Sequence, residues 1–267
     1  MKIENKIFIV TGAGSGIGRE LTLQLVSKGA QVAMIDIHQE SMNETASLTN
    51  KEKVTSYVVD ISKLESIEKF KDDVIKKYGH VDGIINNAGI IQPFIPVNQL
   101  DMSQIEKIVN INFYGTVYMI KTFLPYLLER PEAHIVNISS MGGFIPFPGQ
   151  TLYSATKAAV KILTEGLYAE LKNSSVKVTV VHPGAIATNI SQNSGIEMPK
   201  QAENKSQKAA MQALPADEAA RIIINGIEKN KFRVLVGKDA QFLDLFYRFS
   251  PERAVNFIVK KMSKMMS

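Results

Sequence analysis

A tyrosine and a lysine four residues apart provide the strongest chemical signal in the sequence. Tyr153 and Lys157 lie in the stretch YSATKAAV, at the start of a helical pattern, so both side chains are expected on one helical face. A free phenol has a pKa of about 10, too high for proton transfer at neutral pH. A neighbouring ammonium favours the phenolate and lowers that pKa, which makes tyrosine a usable acid or base. The pair therefore predicts proton transfer at a substrate oxygen.

Two serines end a strand-like stretch shortly before this pair. Ser139 and Ser140 close the segment IVNISS, and a hydroxyl at this place could bind a substrate carbonyl oxygen. The Tyr-x-x-x-Lys spacing alone also occurs by chance on helix surfaces. Its weight comes from the elements that precede it in the chain, which are a glycine-rich turn and an acidic strand end.

The glycine-rich turn lies between the apolar run KIFIV and a helical pattern. Gly12, Gly14, Gly16 and Gly18 alternate with other residues in VTGAGSGIGRE. Glycines let backbone N–H groups approach a phosphate at a helix N-terminus, although a tight strand–helix turn would need them too. The spacing fits neither G-x-G-x-x-G nor the P-loop, because Gly18 is followed by Arg19.

An aspartate ends the second strand-like run, QVAMID. Asp36 comes eighteen residues after Gly18, and a carboxylate at this place can accept hydrogen bonds from both adenosine ribose hydroxyls. The alternative is an ordinary acidic strand terminus. The glycine turn before it favours the binding role.

Short β-branched runs alternate with helical patterns along the chain, which predicts a parallel sheet covered on both faces. We therefore expect an α/β fold, a single doubly wound Rossmann-type domain with about seven parallel strands flanked by helices. The strand candidates are KIFIVT, QVAMID, VTSYVVD, DGIINNA, HIVNIS, VKVTVVH and FRVLV.

Composition excludes several function classes. The 267 residues include no cysteine, so disulfides, thiol nucleophiles and thiolate metal sites are absent, and we expect no metal. The net charge of +5 is dispersed among acidic residues, which argues against nucleic-acid binding. Neither a secretory signal nor an eighteen-residue apolar run is present, so we expect a cytoplasmic protein.

Taken in order, these motifs resemble those of the short-chain dehydrogenase/reductase family from Lys6 to about Gly237. Thr11, Gly12, Gly16 and Gly18 match the family's TGxxxGxG turn, which explains the unusual glycine spacing. The resemblance implies four catalytic residues: Asn112, Ser140 (rather than Ser139), Tyr153 and Lys157. It also implies that the cofactor-binding residues are Thr11, Gly12, Ser15, Gly16, Ile17, Gly18, Asp36, Asp60, Ile61, Asn87, Ala88, Gly89, Tyr153, Lys157, Pro183, Gly184, Ile186 and Thr188.

The implied activity is hydride transfer between a secondary alcohol or ketone, of apolar character, and NAD(P). We expect NAD rather than NADP, because the extra phosphate would lie against the Asp36 carboxylate. Ser15 and Ile37 occupy the places where NADP-dependent relatives carry basic residues. The alternatives are an NADPH-dependent 3-oxoacyl reductase and a non-catalytic nicotinamide-binding regulator.

We expect a catalytic domain over residues 1–237, with a substrate lid near 189–214, and a helical C-terminal extension over 238–267. The extension carries six basic and three acidic residues among many aromatic ones. It is predicted either to close the substrate cleft or pack on a neighbour, which we favour, or to contact a membrane surface. The apolar loop GGFIPFPGQTL is predicted either to approach the substrate cleft or to serve core packing or a subunit contact. The family resemblance implies a homodimer or homotetramer formed through long helices near Asp101–Glu129 and Tyr153–Lys172.

Overall fold

The computed structural model describes residues 1–196 and 213–266. Within them the chain forms one parallel sheet, and all seven predicted strands are confirmed. The strands are β1 (Ile7–Thr11), β2 (Gln31–Asp36), β3 (Val54–Val58), β4 (Gly83–Asn86), β5 (Ala133–Ile138), β6 (Val176–Pro183) and β7 (Arg233–Val236).

The strand order is β3-β2-β1-β4-β5-β6-β7, so the chain direction across the sheet reverses beside β1. In register, Val10 of β1 pairs with Met34 of β2 on one side and with Ile85 of β4 on the other. Ligands of open α/β sheets bind at such a switch point, at the carboxyl ends of the strands. The fold therefore places the ends of β1, β2, β4 and β5 around one crevice.

Helices cover both faces of the sheet. They are α1 (Gly16–Ser27), α2 (Gln39–Ser47), α3 (Leu64–Tyr78), α4 (Met102–Val109), α5 (Gly115–Leu128), α6 (Thr151–Glu170), α7 (Ile190–Asn193), α8 (Ala216–Glu228), α9 (Lys238–Phe249) and α10 (Pro251–Met266). No helix in the described part of the chain has the length and apolar character needed to cross a membrane.

Alternation along the strands builds two cores. Phe8 and Val10 pack on one face of β1 with residues of α1 and α8, whereas Ile9 packs on the other face with residues of α3 and α5. Successive side chains of a strand point to opposite faces, so an uninterrupted apolar run such as IFIV is buried on both sides. This burial fixes the strand ends that carry the site.

The region predicted as one long helix near Asp101–Glu129 is interrupted. Helix α4 ends at Val109, a π-helical turn spans Asn110–Tyr114, and α5 begins at Gly115. Such turns insert one extra residue into a helix and are frequent at functional sites. Here the turn carries the buried Asn112.

The segment 189–214, predicted as a lid, is described only at its ends. Helix α7 forms its beginning, and an isolated bridge pairs Ile186 with Leu214. Residues 197–212 lie outside the described residues. The tail after β7 forms two helices, α9 and α10.

Candidate active site

A cavity of about 890 Å³ opens at the carboxyl edge of the sheet. Most of the predicted site residues line it, namely Gly12, Ser15, Gly16, Ile17, Asp36, Asp60, Ile61, Asn87, Ala88, Gly89, Ser140, Tyr153, Lys157, Pro183, Gly184, Ile186 and Thr188. Thr11, Gly18 and Asn112 lie behind this lining. The structure therefore brings together residues from seven separate segments of the chain.

The glycine turn is shaped by backbone geometry that side chains would disturb. Gly12 has φ +66°, in the left-handed region that favours glycine, and a Cβ on Gly18 would collide with the Gly12 carbonyl. Gly16 begins helix α1, whose first N–H groups are unsatisfied within the helix. This arrangement fits a phosphate-bearing ligand.

Thr11 ties the turn to the next wall of the cavity. Its Oγ1 accepts hydrogen bonds from the backbone N–H groups of Asn87 and Ala88, each at 2.9 Å. The Asn87 side chain donates in return to the Thr11 carbonyl at 3.0 Å. The predicted Thr11 thus lies outside the cavity lining and holds two lining segments together.

Asp36 is held at the end of β2. Its carboxylate accepts hydrogen bonds from Gly14 N at 3.0 Å and from His38 N at 3.1 Å. Arg19, the nearest basic side chain of the turn, donates to the Gly14 carbonyl and to Glu44. Arg19 does not line the cavity, so its positive charge is not available to a ligand bound beside Asp36.

Asp60 and Ile61 form the adjoining wall. Burial alone would raise the pKa of the Asp60 carboxyl, but hydrogen bonds from Ser62 and the charge of Lys63 lower that pKa below its usual range. Ser62 Oγ donates to Asp60 at 2.6 Å. Asp60 is therefore ionised and fixed.

The Ser140 hydroxyl lies beside the Tyr153 ring, since a Cβ built on Gly142 would lie 3.4 Å from Ser140 Oγ and 3.6 Å from Tyr153 Cε1. Burial raises the pKa of the Tyr153 phenol, and the neighbouring Ser140 hydroxyl opposes this rise. The sequence predicts that Lys157 lowers this pKa. In the structure Lys157 Nζ lies 5.9 Å from the centroid of the Tyr153 ring and donates to the Ile138 carbonyl at 2.9 Å. Burial lowers the pKa of Lys157 itself to about 8, so desolvation governs both groups.

The two neighbouring serines have different surroundings. Ser139 Oγ donates to the Lys157 carbonyl at 2.7 Å and thereby anchors helix α6 to the end of β5. Ser140 Oγ accepts from Gly142 N at 3.0 Å and lines the cavity together with Tyr153. The hydroxyl of Ser140 is thus the one that lies beside the predicted acid/base.

Asn112 is buried beside Lys157. Its amide donates to Ile90 O at 2.9 Å and to Thr156 Oγ1 at 3.1 Å, and its Oδ1 accepts from Ile90 N at 2.8 Å. A Cβ built on Gly89 would lie 3.1 Å from Lys157 Nζ and 3.2 Å from Asn112 Oδ1. Asn112 thus fixes the backbone after β4 next to the lysine.

The segment after β6 is held by the tail and lies across the glycine turn. Ala185 N donates to Asp239 of α9 at 2.7 Å. Thr188 adjoins Gly16, whose added Cβ would lie 3.1 Å from the threonine methyl. Farther on, Asn193 donates to Ser15 Oγ at 2.8 Å. Helix α7 therefore spans from the segment after β6 to the turn after β1.

The apolar loop after Ser140 divides between two environments. Phe147 and Met141 line the cavity. Ile145 is fully buried and packs with Leu243 of α9 and Ile258 of α10. The loop therefore contributes some side chains to the cavity wall and others to the core.

Some site residues were missed by sequence reasoning. Gln150 lines the cavity one residue before α6, and its Oε1 is buried with no hydrogen-bond partner among the described residues. Met262 of α10 also lines the cavity. The position of Gln150, three residues before Tyr153, was an available signal, whereas no local pattern links Met262 to the site.

His182 is a further residue near the site that the motif spacing does not single out. It is fully buried at the end of β6, and its Nδ1 lies 3.1 Å from the Ser140 carbonyl oxygen. Its place directly before Pro183, at a strand end that borders the cavity, was the signal that could have found it.

The strand order and the cavity at its switch point define a Rossmann-type nucleotide-binding fold. Residues 6–199, more than half of the chain, match the short chain dehydrogenase family. The chain therefore belongs to this family of oxidoreductases.

Two relatives illustrate the range of the similarity. The chain is 37% identical over 253 residues to the oxidoreductase SadH of Mycobacterium tuberculosis, covering 92% of this chain and 91% of SadH. It is 31% identical over 234 residues to the 3-oxoacyl-[acyl-carrier-protein] reductase FabG of Thermotoga maritima, covering 84% of this chain and 91% of FabG.

Solved structures share the fold. A short-chain dehydrogenase/reductase from Burkholderia phymatum in complex with NAD has a TM-score of 0.82 at 24% identity, over 88% of this chain and 90% of that one. A short-chain dehydrogenase from Burkholderia cenocepacia in complex with NADP has a TM-score of 0.79 at 26% identity, over 97% and 99%.

Proposed function

We propose that the protein transfers a hydride between a secondary alcohol or ketone and a nicotinamide cofactor. The observation that carries the proposal is the position of the Ser140 hydroxyl beside the Tyr153 ring in the cavity wall, with Lys157 on the same helix as Tyr153. A phenol and a hydroxyl that lie side by side can both contact a single substrate oxygen. The oxidoreductase family of the chain agrees with this chemistry.

The residues around the glycine turn fit a dinucleotide. Backbone N–H groups at the start of α1 would meet the pyrophosphate, and Asp36 would accept hydrogen bonds from the adenosine ribose. Asp60 and Ile61 would border the adenine, and Pro183, Gly184, Ile186 and Thr188 the nicotinamide. Relatives with NAD or NADP bound support this assignment. When bound, a nicotinamide group accepts or gives the hydride of the reaction.

During alcohol oxidation, we assign to Tyr153 the acceptance of the hydroxyl proton, which leaves as the carbonyl double bond forms and the hydride departs from the same carbon. Ser140 would donate a hydrogen bond to the substrate oxygen and stabilise its negative charge. Lys157 would bond the nicotinamide ribose, and its ammonium, 5.9 Å from the centroid of the Tyr153 ring, would oppose the effect of burial on the phenol pKa. Asn112 would support the proton path from Lys157. Reduction reverses these proton movements.

We further propose that the substrate is apolar and that the enzyme prefers NAD to NADP. Side chains that support an apolar substrate are Ile91, Phe94, Met141, Phe147 and Met262, all in the cavity wall. For NAD the support is Asp36, whose carboxylate would repel the additional phosphate of NADP. A second candidate, an NADPH-dependent 3-oxoacyl reductase, is favoured by the similarity to the FabG reductase.

The proposal also covers the division of the chain into segments, the oligomeric state and the location in the cell. We assign residues 1–237 to the catalytic domain, 189–214 to a substrate lid and 238–267 to the helical extension. Hydrogen bonds from Asn193 to Ser15 and from Ile91 to Ser194 support the lid at its described beginning. We further propose that the protein forms a homodimer or homotetramer. We also propose a cytoplasmic location, which suits a chain without cysteine.

A substrate screen tests the function. Purified protein is incubated with apolar secondary alcohols, ketones and a 3-oxoacyl thioester, with NAD(H) and NADP(H) in turn, and products are identified. We expect the Tyr153→Phe variant to lose about two orders of magnitude or more in kcat, because the transferable proton is removed while the ring is kept. Tyr168→Phe, at a partly exposed tyrosine elsewhere on α6, serves as the control. Near-normal turnover by Tyr153→Phe would refute the acid/base assignment, and preferential reduction of the thioester with NADPH would favour the second candidate.

A further inference from the structure

The two C-terminal helices leave an apolar surface uncovered. We name it the tail patch; it consists of Phe242 (55% exposed), Leu245 (58%) and Phe249 (82%) of α9 and Phe257 (41%) of α10. The three α9 residues follow one another at helical spacing and share one face. The rings of Phe242 and Phe257 are 6.0 Å apart between centroids, so the patch continues from one helix to the next.

The tail patch is separate from the face by which the tail packs on the catalytic domain. On that inner face, Leu243, Ala254 and Ile258 are buried against Ile145 and its neighbours. The inner face already supplies the core contacts of both helices. Packing within the chain therefore does not explain why the tail patch is apolar.

Charge on the same outer surface is more positive than the sequence of the tail indicates. Of the three acidic residues, Asp244 forms a two-bond pair with Arg233 of β7 at 2.9 and 2.7 Å, and Asp239 accepts from Ala185 N. Both acids are thus directed towards the catalytic domain, and Glu252 stays exposed. Among the tail residues whose side chains the structure describes, the exposed basic ones are Lys238, Arg248, Arg253, Lys260 and Lys261.

Several of these basic residues border the tail patch directly. Lys238 precedes Phe242 by one helical turn, and Arg253 precedes Phe257 by one turn. Arg248, which also contacts Asp244 at 3.2 Å, lies one turn after Leu245. Aromatic and aliphatic side chains with a rim of Lys and Arg characterise helices that lie in the plane of a membrane interface.

From this combination we propose that α9 and α10 dock the protein on the surface of an anionic lipid bilayer. Phe249 and the rest of the tail patch would enter the headgroup region, and the basic rim would contact the acidic headgroups. A second copy of the chain fits the surface less well. A symmetric contact would place the same positive rim of each copy against the other, and like charges in contact oppose association.

Docking in this manner would bring the cavity next to the lipid. Met262 lies on α10, five residues after Phe257, and lines the cavity wall. This consequence rests on the proposed function, because it concerns an apolar substrate that would dissolve in the bilayer. The docking itself does not depend on catalysis.

Vesicle sedimentation tests the proposal. Full-length protein is mixed with vesicles of phosphatidylcholine alone or of phosphatidylcholine with phosphatidylglycerol, without substrate or cofactor, at low and at high salt. We expect binding to the anionic vesicles at low salt, and release at high salt because the rim charges are exposed and screened. The Leu245→Ser/Phe249→Ser variant is expected to bind about tenfold more weakly.

Matched controls keep the result interpretable. Leu48→Ser removes a leucine at the end of α2 whose exposure (61%) is close to that of Leu245 (58%), and this variant should bind vesicles like the parent protein. Thermal unfolding verifies that all variants fold. Absence of vesicle binding by the parent protein, or equal binding to neutral vesicles, overturns the proposal. A parent oligomer that dissociates in the double variant, without vesicle binding, would instead assign the patch to a contact between copies. Because no turnover is measured, failure here is distinct from failure of the proposed function.

Discussion

His182 Nδ1 lies 3.1 Å from the carbonyl oxygen of Ser140, and the histidine ring is fully buried. Burial lowers the pKa of His182 to about 4, so the imidazole is neutral at neutral pH. A carbonyl oxygen only accepts, and Nδ1 must therefore carry the proton. The ring also meets Phe144 edge-on, with centroids 5.4 Å apart, and is thus held from a second side. His182 fixes the backbone from which the Ser140 hydroxyl extends.

We predict that His182 is a positioning residue for Ser140. His182→Leu keeps an apolar side chain but leaves the Ser140 carbonyl without its donor, and should lower kcat about tenfold, or about 1.4 kcal/mol. His182→Asn retains a donor near the place of Nδ1 and should recover most of the loss. Steady-state kinetics with thermal unfolding as the folding control makes the measurement. Equal kcat values for the two variants, or a change in KM alone, would contradict the positioning role.

Acid should destabilise the protein through two buried histidines. Burial lowers the pKa of His134 to about 3 and that of His182 to about 4, against about 6.5 in an unfolded chain. The folded state therefore binds fewer protons than the unfolded state. Their contribution to stability is complete above about pH 6.5 and is lost as the pH falls towards 4. At about pH 5, protonation of each histidine in the unfolded state should lower the free energy of unfolding by on the order of 2 kcal/mol.

Urea unfolding at neutral pH and at about pH 5 measures this loss. His134→Gln should make the free energy of unfolding less dependent on pH, whatever its effect on absolute stability. His38→Gln, at an exposed histidine, should keep the pH dependence of the parent protein. An unchanged pH dependence in His134→Gln would show that this histidine titrates alike in both states.

Assembly should involve the outer faces of α5 and α6. Exposed apolar side chains on these helices include Leu128 of α5, and Ile162 (62% exposed) and Tyr168 of α6. Burying them in a symmetric contact removes apolar surface from water, which favours association. Light scattering at micromolar concentration should give the mass of a dimer or tetramer, and Ile162→Glu should lower it, whereas Leu48→Glu should not. A monomeric parent protein would disprove this assembly.

The sheet could be predicted because its strands are continuous apolar runs between turn residues, as in IFIV before the glycine turn. Once parallel strands are assumed, their carboxyl ends meet at one edge, and this alone brings Asp36, Ser140 and the segment from Pro183 to a common crevice. The motif spacing and the family resemblance then supplied most of the residues that line the cavity. These inferences depend on local patterns and on topology only.

Features that depend on packing could not be predicted. The donation from Lys157 Nζ to the Ile138 carbonyl, and the burial that raises the pKa of Tyr153, follow from how α6 packs on β5. The π-helical turn at Asn112 interrupts a pattern that is helical on both sides. Met262 reaches the cavity from the last helix, more than a hundred residues after Tyr153. In each case the cause is a contact between segments that are distant in sequence.

Cofactor preference is the remaining prediction, and it rests on the surroundings of Asp36. The carboxylate is fixed by Gly14 N and His38 N and faces the cavity beside Ile37, so it cannot turn away without losing these hydrogen bonds. The phosphate on the adenosine ribose of NADP would meet this charge and would replace the hydroxyl that Asp36 bonds. Arg19 cannot compensate, because it is paired with Glu44 at 2.7 Å.

We therefore expect kcat/KM to be at least about tenfold higher with NAD than with NADP, equivalent to about 1.4 kcal/mol of transition-state binding. Asp36→Ala should narrow this ratio by removing the repulsion, and the Asp36→Ala/Ile37→Arg double variant should narrow it further by adding a positive charge. Glu40→Ala, at an exposed acid on the first turn of α2, is the control and should leave the ratio unchanged. Steady-state kinetics with both cofactors decides the matter. Equal or higher efficiency with NADP in the parent protein would show that Asp36 does not bind the ribose in the way proposed.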